Sequence, residues 1–309
     1  MLLRSLLVLM FTYTSSLRLV LKMRSNSAPA LSTTINVDKV RVLSFDVTGT
    51  LLIHRDPIIQ TYSECAEWSL LPNAPTQDEL KPAFKAAYFE QNQRSPAFGF
   101  HDKISAREWW RETVKNTLKK CGRSYPDSEF DRYFRRVYQH FGSQDGYEAL
   151  PDAVEFLQWA SEQYSLASDN DDKYFGFGVI TNTPFRTVET VLPMKGFHNY
   201  FQWFVCSQDI GLEKPDTRMF DKAYEQAKFW IPGLERDNIL HIGDSLPADY
   251  CGAKAAGFQA LLLDRSDNAR VSVYQDWLTA PDYPGKTEND IISNTVNNFW
   301  DVKRILQGE

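Results

Sequence analysis

Paired cysteines, a basic surplus, long apolar runs and internal repeats are all missing from this 309-residue chain. Cys65, Cys121, Cys206 and Cys251 stand far apart with no Cys-x-x-Cys pair, which argues against a zinc site and a dense disulfide framework. They read as reduced, mostly buried thiols. Lys and Arg number 34 against 40 Asp and Glu, a net charge of −6, so there is no positive field to hold a polyanion and nucleic acid is not an expected partner. No stretch approaches the roughly 20 apolar residues needed to span a bilayer, so no stable membrane span is expected. Core-forming material is plentiful: 43% of residues are hydrophobic, enough for one large domain or two smaller ones. Oligomeric state leaves no mark in the sequence.

Charge is unevenly placed along the chain. No acid precedes Asp38, while Arg4, Arg18, Lys22 and Arg24 make residues 1–37 positive, and 30 basic against 40 acidic residues remain beyond them. That break marks a leader. An acid-free segment carrying Arg and Ser fits a mitochondrial presequence. The alternatives are a secretory signal with a cleavage site near Ala28-Pro29-Ala30, or an extension of a cytoplasmic protein with no targeting role.

Five short runs rich in β-branched and aromatic residues follow, at 40–45, 175–180, 203–207, 238–242 and 259–263. Continuous apolar runs of this length, each ended by turn residues, predict strands buried on both faces, with helices at 217–228 and 249–256 between the later ones. The alternation predicts an α/β fold with a doubly wound parallel sheet. Residues 57–150 instead show helical patterns at 79–93, 105–120 and 128–141 with almost no strand signal. An insertion that long is not a loop, so a core of residues 38–56 and 151–309 is expected to carry a second, α-helical module of residues 57–150. A helix at 152–163 leads back to the sheet, and the Asp- and Asn-rich stretch 165–173 reads as an exposed loop.

Four places carry candidate chemistry. The first strand ends in Phe45-Asp46-Val47-Thr48-Gly49-Thr50, which sets Asp46 at the carboxyl edge of a strand, where open sheets present side chains to ligands. The second strand runs into Thr181-Asn182-Thr183-Pro184, adding a hydroxyl and an amide at the same edge. Lys214 stands alone before Pro215. The fourth strand ends in Gly243-Asp244, with Asp249 five residues on, a spacing at which two acids can share a hard cation. Taken singly, each has an ordinary reading as turn, helix cap or surface residue. Together, Asp46, Thr181, Lys214 and Asp244 follow separate elements that one sheet edge gathers. They supply a carboxylate nucleophile, a hydroxyl and an ammonium for phosphate oxygens, and an acid for Mg²⁺, the parts that phosphoryl transfer needs.

The ordered set Asp46-x-x-Gly49-Thr50, Thr181, Lys214-Pro215 and Gly243-Asp244-x-x-x-x-Asp249 resembles the haloacid dehalogenase superfamily over residues 40–263. The stretches 211–220 and 243–257 look like its phosphoglycolate-phosphatase-like branch, and the insertion looks like a C1-type cap. The resemblance implies a Rossmann-like core with sheet order 5-4-1-2-3, Mg²⁺ dependence and a phosphoaspartyl intermediate. Carried across, it implies that Asp46 attacks phosphorus, and that Asp46, the Thr48 carbonyl and Asp244 hold Mg²⁺ with Asp249 orienting its water shell. Thr181 and Lys214 would neutralise phosphoryl oxygens, and Asn182 would bind a small phosphorylated substrate.

One position departs from the pattern. Most phosphatases of the superfamily place a second Asp two residues after the nucleophile as acid and base, and here that residue is Thr48. The P-type ion pumps resemble the sequence at this point, carrying Asp-Lys-Thr-Gly-Thr. A hydroxyl does not exchange protons usefully near pH 7, and general acid–base catalysis is worth roughly 10²- to 10⁴-fold, so slow hydrolysis is expected. His54 and His101 are candidates for a replacement base. Two alternatives stay open: a non-catalytic protein that binds a phosphorylated ligand or partner, and metal-free carbon–halogen cleavage by Asp46. Phe98, Phe100, Trp109 and Trp110 read as the module's own core or as a surface for substrate; adjacent Trp109 and Trp110 do not share a helix face. Arg132, Arg135 and Arg136 read as a solvated helix face.

Overall fold

The computed structural model describes residues 33–164, 175–266 and 280–309. The leader up to residue 32 and the loop expected at 165–173 lie outside the described residues. At the centre are the strands expected from the apolar runs: β1 (Val42–Phe45), β4 (Gly176–Thr181), β5 (Trp203–Cys206), β6 (Ile239–Gly243) and β7 (Gln259–Leu263). Two further short strands, β2 (Leu52–His54) and β3 (Tyr147–Ala149), lie outside this sheet, while β8 (Thr295–Val296) extends it to six strands. The order is β5-β4-β1-β6-β7-β8, and every pairing is parallel. Counting only the five expected strands, this is the order 5-4-1-2-3 read from the other edge.

Both faces of the sheet are covered, which is why its strands are apolar throughout. One face packs α5 (Pro151–Gln163) and α7 (Phe299–Gln307), where Phe156 and Phe299 approach to 5.0 Å between ring centres. The other packs α6 (Thr217–Trp230) through Met219, Phe220, Ala223 and Ala227. Gly178 makes room for this packing, since a Cβ there would lie 2.0 Å from the Trp203 ring. The parallel ladder leaves all the strand carboxyl ends at one edge, with β1 at the point where the chain switches from one side of the sheet to the other.

Between β2 and β3 the chain forms α1 (Ile58–Trp68), α2 (Gln77–Arg94), α3 (Ala106–Lys120) and α4 (Asp127–His140). Three of these fall where the helical patterns predict them. The fourth, α1, follows Pro57 and opens Ile58-Ile59-Gln60-Thr61, β-branched residues that mask a helix. Thr76 and Ser105 start α2 and α3 with capping boxes closed by Glu79 and Glu108. The helices bury a hydrophobic cluster of their own, including Tyr62, Phe84, Trp109, Phe130 and Phe134. Trp109 is fully buried and its Nε1 donates to the Ser95 carbonyl at 2.6 Å, while the adjacent Trp110 is half-buried, as the helix geometry requires.

Among the described residues, the contacts that join the insert to the rest of the chain include three sets of hydrogen bonds. β2 and β3 pair antiparallel, Leu52 opposite Ala149 and His54 opposite Tyr147. His101 Nε2 donates to the Gly211 carbonyl at 2.8 Å. The Arg186 guanidinium donates to the Tyr138 carbonyl at 2.9 Å and the Phe141 carbonyl at 3.1 Å, at the end of α4. Among the described residues no helix is long and apolar enough to cross a membrane.

Candidate active site

Asp46 follows β1, Thr181 ends β4, and Asp244 follows β6, so the ladder itself brings three of the sequence candidates to one edge. The Asp46 N–H donates to the Ile242 carbonyl of the neighbouring strand at 3.0 Å, which fixes its backbone to the sheet. After Asp244 the chain makes a π-helical turn, Leu246–Cys251, that turns Asp249 back beneath the edge. Lys214 reaches in from the segment after β5, and its Nζ is the hub. It donates to Asp46 Oδ1 at 2.8 Å, to the Ile180 carbonyl at 2.7 Å and to Asp249 Oδ1. Its side chain is 2% exposed, so these are bonds in a low dielectric.

The carboxylates divide by environment. One oxygen from each of Asp46, Asp244 and Asp249 lies within 4.8 Å of the others. Burial raises the Asp46 pKa against the pull of Lys214. Burial raises Asp244 further, because Asp46 and Asp249 add like charge. Burial acts the same way on Asp249, but Lys214 and His241 outweigh it and hold that carboxyl below its ordinary range. Lys214 loses by burial and gains more from Asp249 and Asp46, so its ammonium stays charged. Asp244 Oδ2 is buried with no hydrogen-bond partner among the described residues. Three crowded acids, one with an oxygen left bare, are a donor set for a hard dication. Gly49 keeps that corner open: at φ +95° it takes a conformation that favours glycine, and a Cβ there would lie 2.1 Å from Asp244 Oδ2.

The remaining candidates fall around this centre. Thr181 is buried and its hydroxyl donates to Thr183 Oγ1 at 3.3 Å. Asn182 is engaged at both ends: Nδ2 donates to the Lys214 carbonyl at 2.9 Å and Oδ1 accepts from the Lys214 N–H at 2.7 Å. The contact the structure gives it is therefore a positioning one, holding the lysine's backbone. Thr48 is half-buried and lines the cavity above Asp46. Of the two histidines, His101 is spent on the Gly211 carbonyl and does not line the cavity. His54 does line it, but burial pushes its pKa down to about 4, which makes it a weak base.

With that geometry established, comparison with known proteins is informative. A family model described as haloacid dehalogenase-like hydrolase matches residues 40–257. The chain belongs to the haloacid dehalogenase-like hydrolases. Among relatives of this hydrolase, the rhythmically expressed gene 2 protein of Drosophila melanogaster is 27% identical over 76% of this chain and 86% of its own. Haloacid dehalogenase-like hydrolase domain-containing protein 3 of Danio rerio is 27% identical over 75% of this chain and 88% of its own. Two solved structures share the fold. The HAD-hydrolase YfnB of Bacillus subtilis, bound to magnesium, has a TM-score of 0.56 at 19% identity, covering 87% of this chain and 99% of that one. The L-2-haloacid dehalogenase of Xanthobacter autotrophicus, with chloropropionic acid covalently bound, has a TM-score of 0.56 at 15% identity over the same shares.

Sequence reasoning missed three contributors to the hydrolase's site. His241, fully buried, places Nε2 3.2 Å from Asp249 Oδ1 and Nδ1 3.0 Å from Ser44 Oγ, so an imidazole and a hydroxyl support Asp249 from behind. A signal exists: Ser44 and His241 are the single polar residues of strands β1 and β6, and they are register partners. The Ser245 N–H is the second, donating to Asp249 Oδ2 at 2.9 Å. Arg186 is the third, and nothing in its local pattern marks it, because its partners are backbone carbonyls.

Proposed function

We propose that this hydrolase is a Mg²⁺-dependent phosphatase acting on small phosphomonoesters through an aspartyl phosphate formed on Asp46, with low turnover. The observation that carries the reading is the 2.8 Å Asp46–Lys214 pair beside the bare Asp244 oxygen, an arrangement that supports nucleophile, ammonium and metal-binding roles for these three residues. In the first half-reaction an Asp46 oxygen attacks phosphorus. A new O–P bond forms as the bond to the alcohol oxygen breaks, and the alcohol leaves with a proton from solvent. In the second, water attacks the same phosphorus, the bond to Asp46 breaks, inorganic phosphate leaves, and the water's proton returns to solvent. Lys214 and Thr181 neutralise the phosphoryl oxygens, while Asn182 holds Lys214 in place. Asp46, the Thr48 carbonyl and Asp244 would hold Mg²⁺, with Asp249 orienting its water shell; bound there, the ion supplies charge neutralisation for the transferring group.

Thr48 stands where acid–base catalysis is expected, which limits the rate by up to roughly 10²- to 10⁴-fold. The same residue supports a second reading, a non-catalytic protein that binds a phosphorylated ligand at this edge. Carbon–halogen cleavage is disfavoured, since it gives the partnerless Asp244 oxygen no role. The helical insert, facing the edge across the cavity, is taken as the cap that excludes water and selects substrate.

The test is phosphate release from an aryl phosphate with Mg²⁺, full-length chain against Asp46→Asn. Loss of at least about 10³-fold in the variant is expected. Equal release from both proteins would overturn the reading, and Mg²⁺-dependent binding of phosphate esters without any release would move it to the second.

A further inference from the structure

The cavity above Asp46 has a volume of about 630 Å³, within the roughly 300–1,000 Å³ of pockets that enclose drug-sized molecules. A phosphate group fills only the end nearest the sheet edge. The rest is bounded by the insert, and there the wall is aromatic. Trp110, Tyr138 and Phe141 line it while only half-buried, so they carry apolar surface that a bound group can still cover. Among the described residues, positions 57–150 bring no Lys, Arg, Asp, Glu or His to this wall, and the polar groups there are Gln60 and tyrosine hydroxyls; the cavity's other charged groups, Arg55, Asp56 and Arg186 among them, come from outside that stretch.

The wall is also held in place from the core. Arg186 donates to the carbonyls of Tyr138 and Phe141, and its guanidinium stacks over the Tyr138 ring at 3.8 Å. Trp110 is braced by Trp109 at 4.9 Å and Tyr88 at 5.8 Å between ring centres. Rings fixed this way offer a preformed face, which lowers the entropy lost on binding. A polyol phosphate would bring several hydroxyls against this wall, and each one desolvated without a partner is penalised. An aromatic or branched apolar group meets no such penalty and gains by covering the three rings.

Resting on the phosphatase reading, we infer that the substrate is the phosphomonoester of a bulky apolar alcohol, its apolar group lying against Trp110, Tyr138 and Phe141. The experiment compares 2-phenylethyl phosphate with ethyl phosphate, whose leaving alcohols are closely similar in acidity, so that the ratio of kcat/KM reads the cavity and not the chemistry. A ratio of at least about 10 is expected for the full-length chain, falling toward 1 in Trp110→Ala and Tyr138→Ala; the ratio is insensitive to the fraction of each variant that folds. Turnover of both esters at a ratio near 1 would overturn the inference while leaving the phosphatase reading intact. If neither ester is turned over, the phosphatase reading stands or falls on the aryl phosphate test, and calorimetric titration with 2-phenylethylphosphonate against ethylphosphonate decides the cavity alone. At least about tenfold tighter binding of the phenyl compound, lost in Trp110→Ala, upholds the apolar ligand class, and equal affinities overturn it.

Discussion

At the sheet edge three carboxylates, an ammonium and an imidazole are buried together, whereas the insert across the cavity presents rings and almost no charge. The edge is held by directed bonds around one atom, Lys214 Nζ, with three acceptors. The insert is held by apolar packing around Trp109 and Phe134, where many small contacts share the work. The contrast separates two kinds of vulnerability. On the proposed reading, deleting a single charge at the edge removes chemistry, and deleting a ring in the insert changes which ligand fits.

The sharpest way to break that contrast is Lys214→Ala. The ammonium offsets the burial of Asp46 and Asp249 and, in the proposed reaction, meets phosphoryl oxygens, so its loss is expected to lower kcat/KM by roughly 10²- to 10³-fold. Steady-state kinetics on the phenylethyl and ethyl esters should show the same fractional loss for both. A loss confined to one ester would mean that the edge, and not the insert, sets substrate choice.

His54 lies on the seam, on the ladder that joins insert to sheet, with its ring 4.8 Å from Tyr147 and 5.5 Å from Phe141. Burial, with His140 adding repulsion, outweighs a hydrogen bond to Gly146 and pushes its pKa down to about 4. A histidine in an unfolded chain titrates near 6.5. Between those values the unfolded chain binds the extra proton, so the contribution to stability is complete above about pH 6.5 and is lost as pH falls toward about 4. The loss is on the order of 3 kcal/mol. His54→Phe keeps a ring and removes the titration, so urea unfolding near pH 7 and near pH 4.5 should show a smaller drop in the variant. Equal drops would place the acid sensitivity elsewhere, at His241 first, whose pKa burial also lowers.

The contrast also explains which parts were legible in the sequence. Strands buried on both faces are largely apolar, so β1, β4, β5, β6 and β7 stand out as runs, and Asp46 after β1 and Asp244 after β6 are conspicuous for the same reason. β8 is two residues long and β2 and β3 three each, too short for any period to show. α1 was hidden by β-branched residues at its start. The hydrogen bonds of Asn182 were unreadable because its partner is the backbone of Lys214, 32 positions away. His241 falls inside the apolar run 238–242 and reads as strand, since its supporting role exists only once β1 and β6 pair.

Thr48→Asp tests whether the edge lacks only its acid. Restoring a carboxyl two residues after Asp46 is expected to raise kcat by about 10- to 100-fold, less than the full range of acid–base catalysis because the new group is unsupported. Its titration should add a limb to the pH–rate profile that the parent lacks. An unchanged or lower rate would show that proton transfer does not limit turnover.

Asp244→Asn has the smallest expected effect on folding and bears most directly on why the acids are crowded. Without a cation the carboxylate repels Asp46 and Asp249 and keeps one oxygen bare, so it opposes folding in order to serve binding. Removing the charge should raise the Tm measured in chelator by a few degrees while abolishing phosphate release. Mg²⁺ at ten times its dissociation constant stabilises a protein by about 1.4 kcal/mol, so the parent's Tm should climb with added Mg²⁺ while the variant's stays nearly flat. The two curves should then approach and cross as Mg²⁺ rises, because an ion held by the folded state alone keeps stabilising the parent. Coincident curves would mean that Asp244 neither holds the ion nor opposes folding in its absence, and the bare oxygen would lose its explanation.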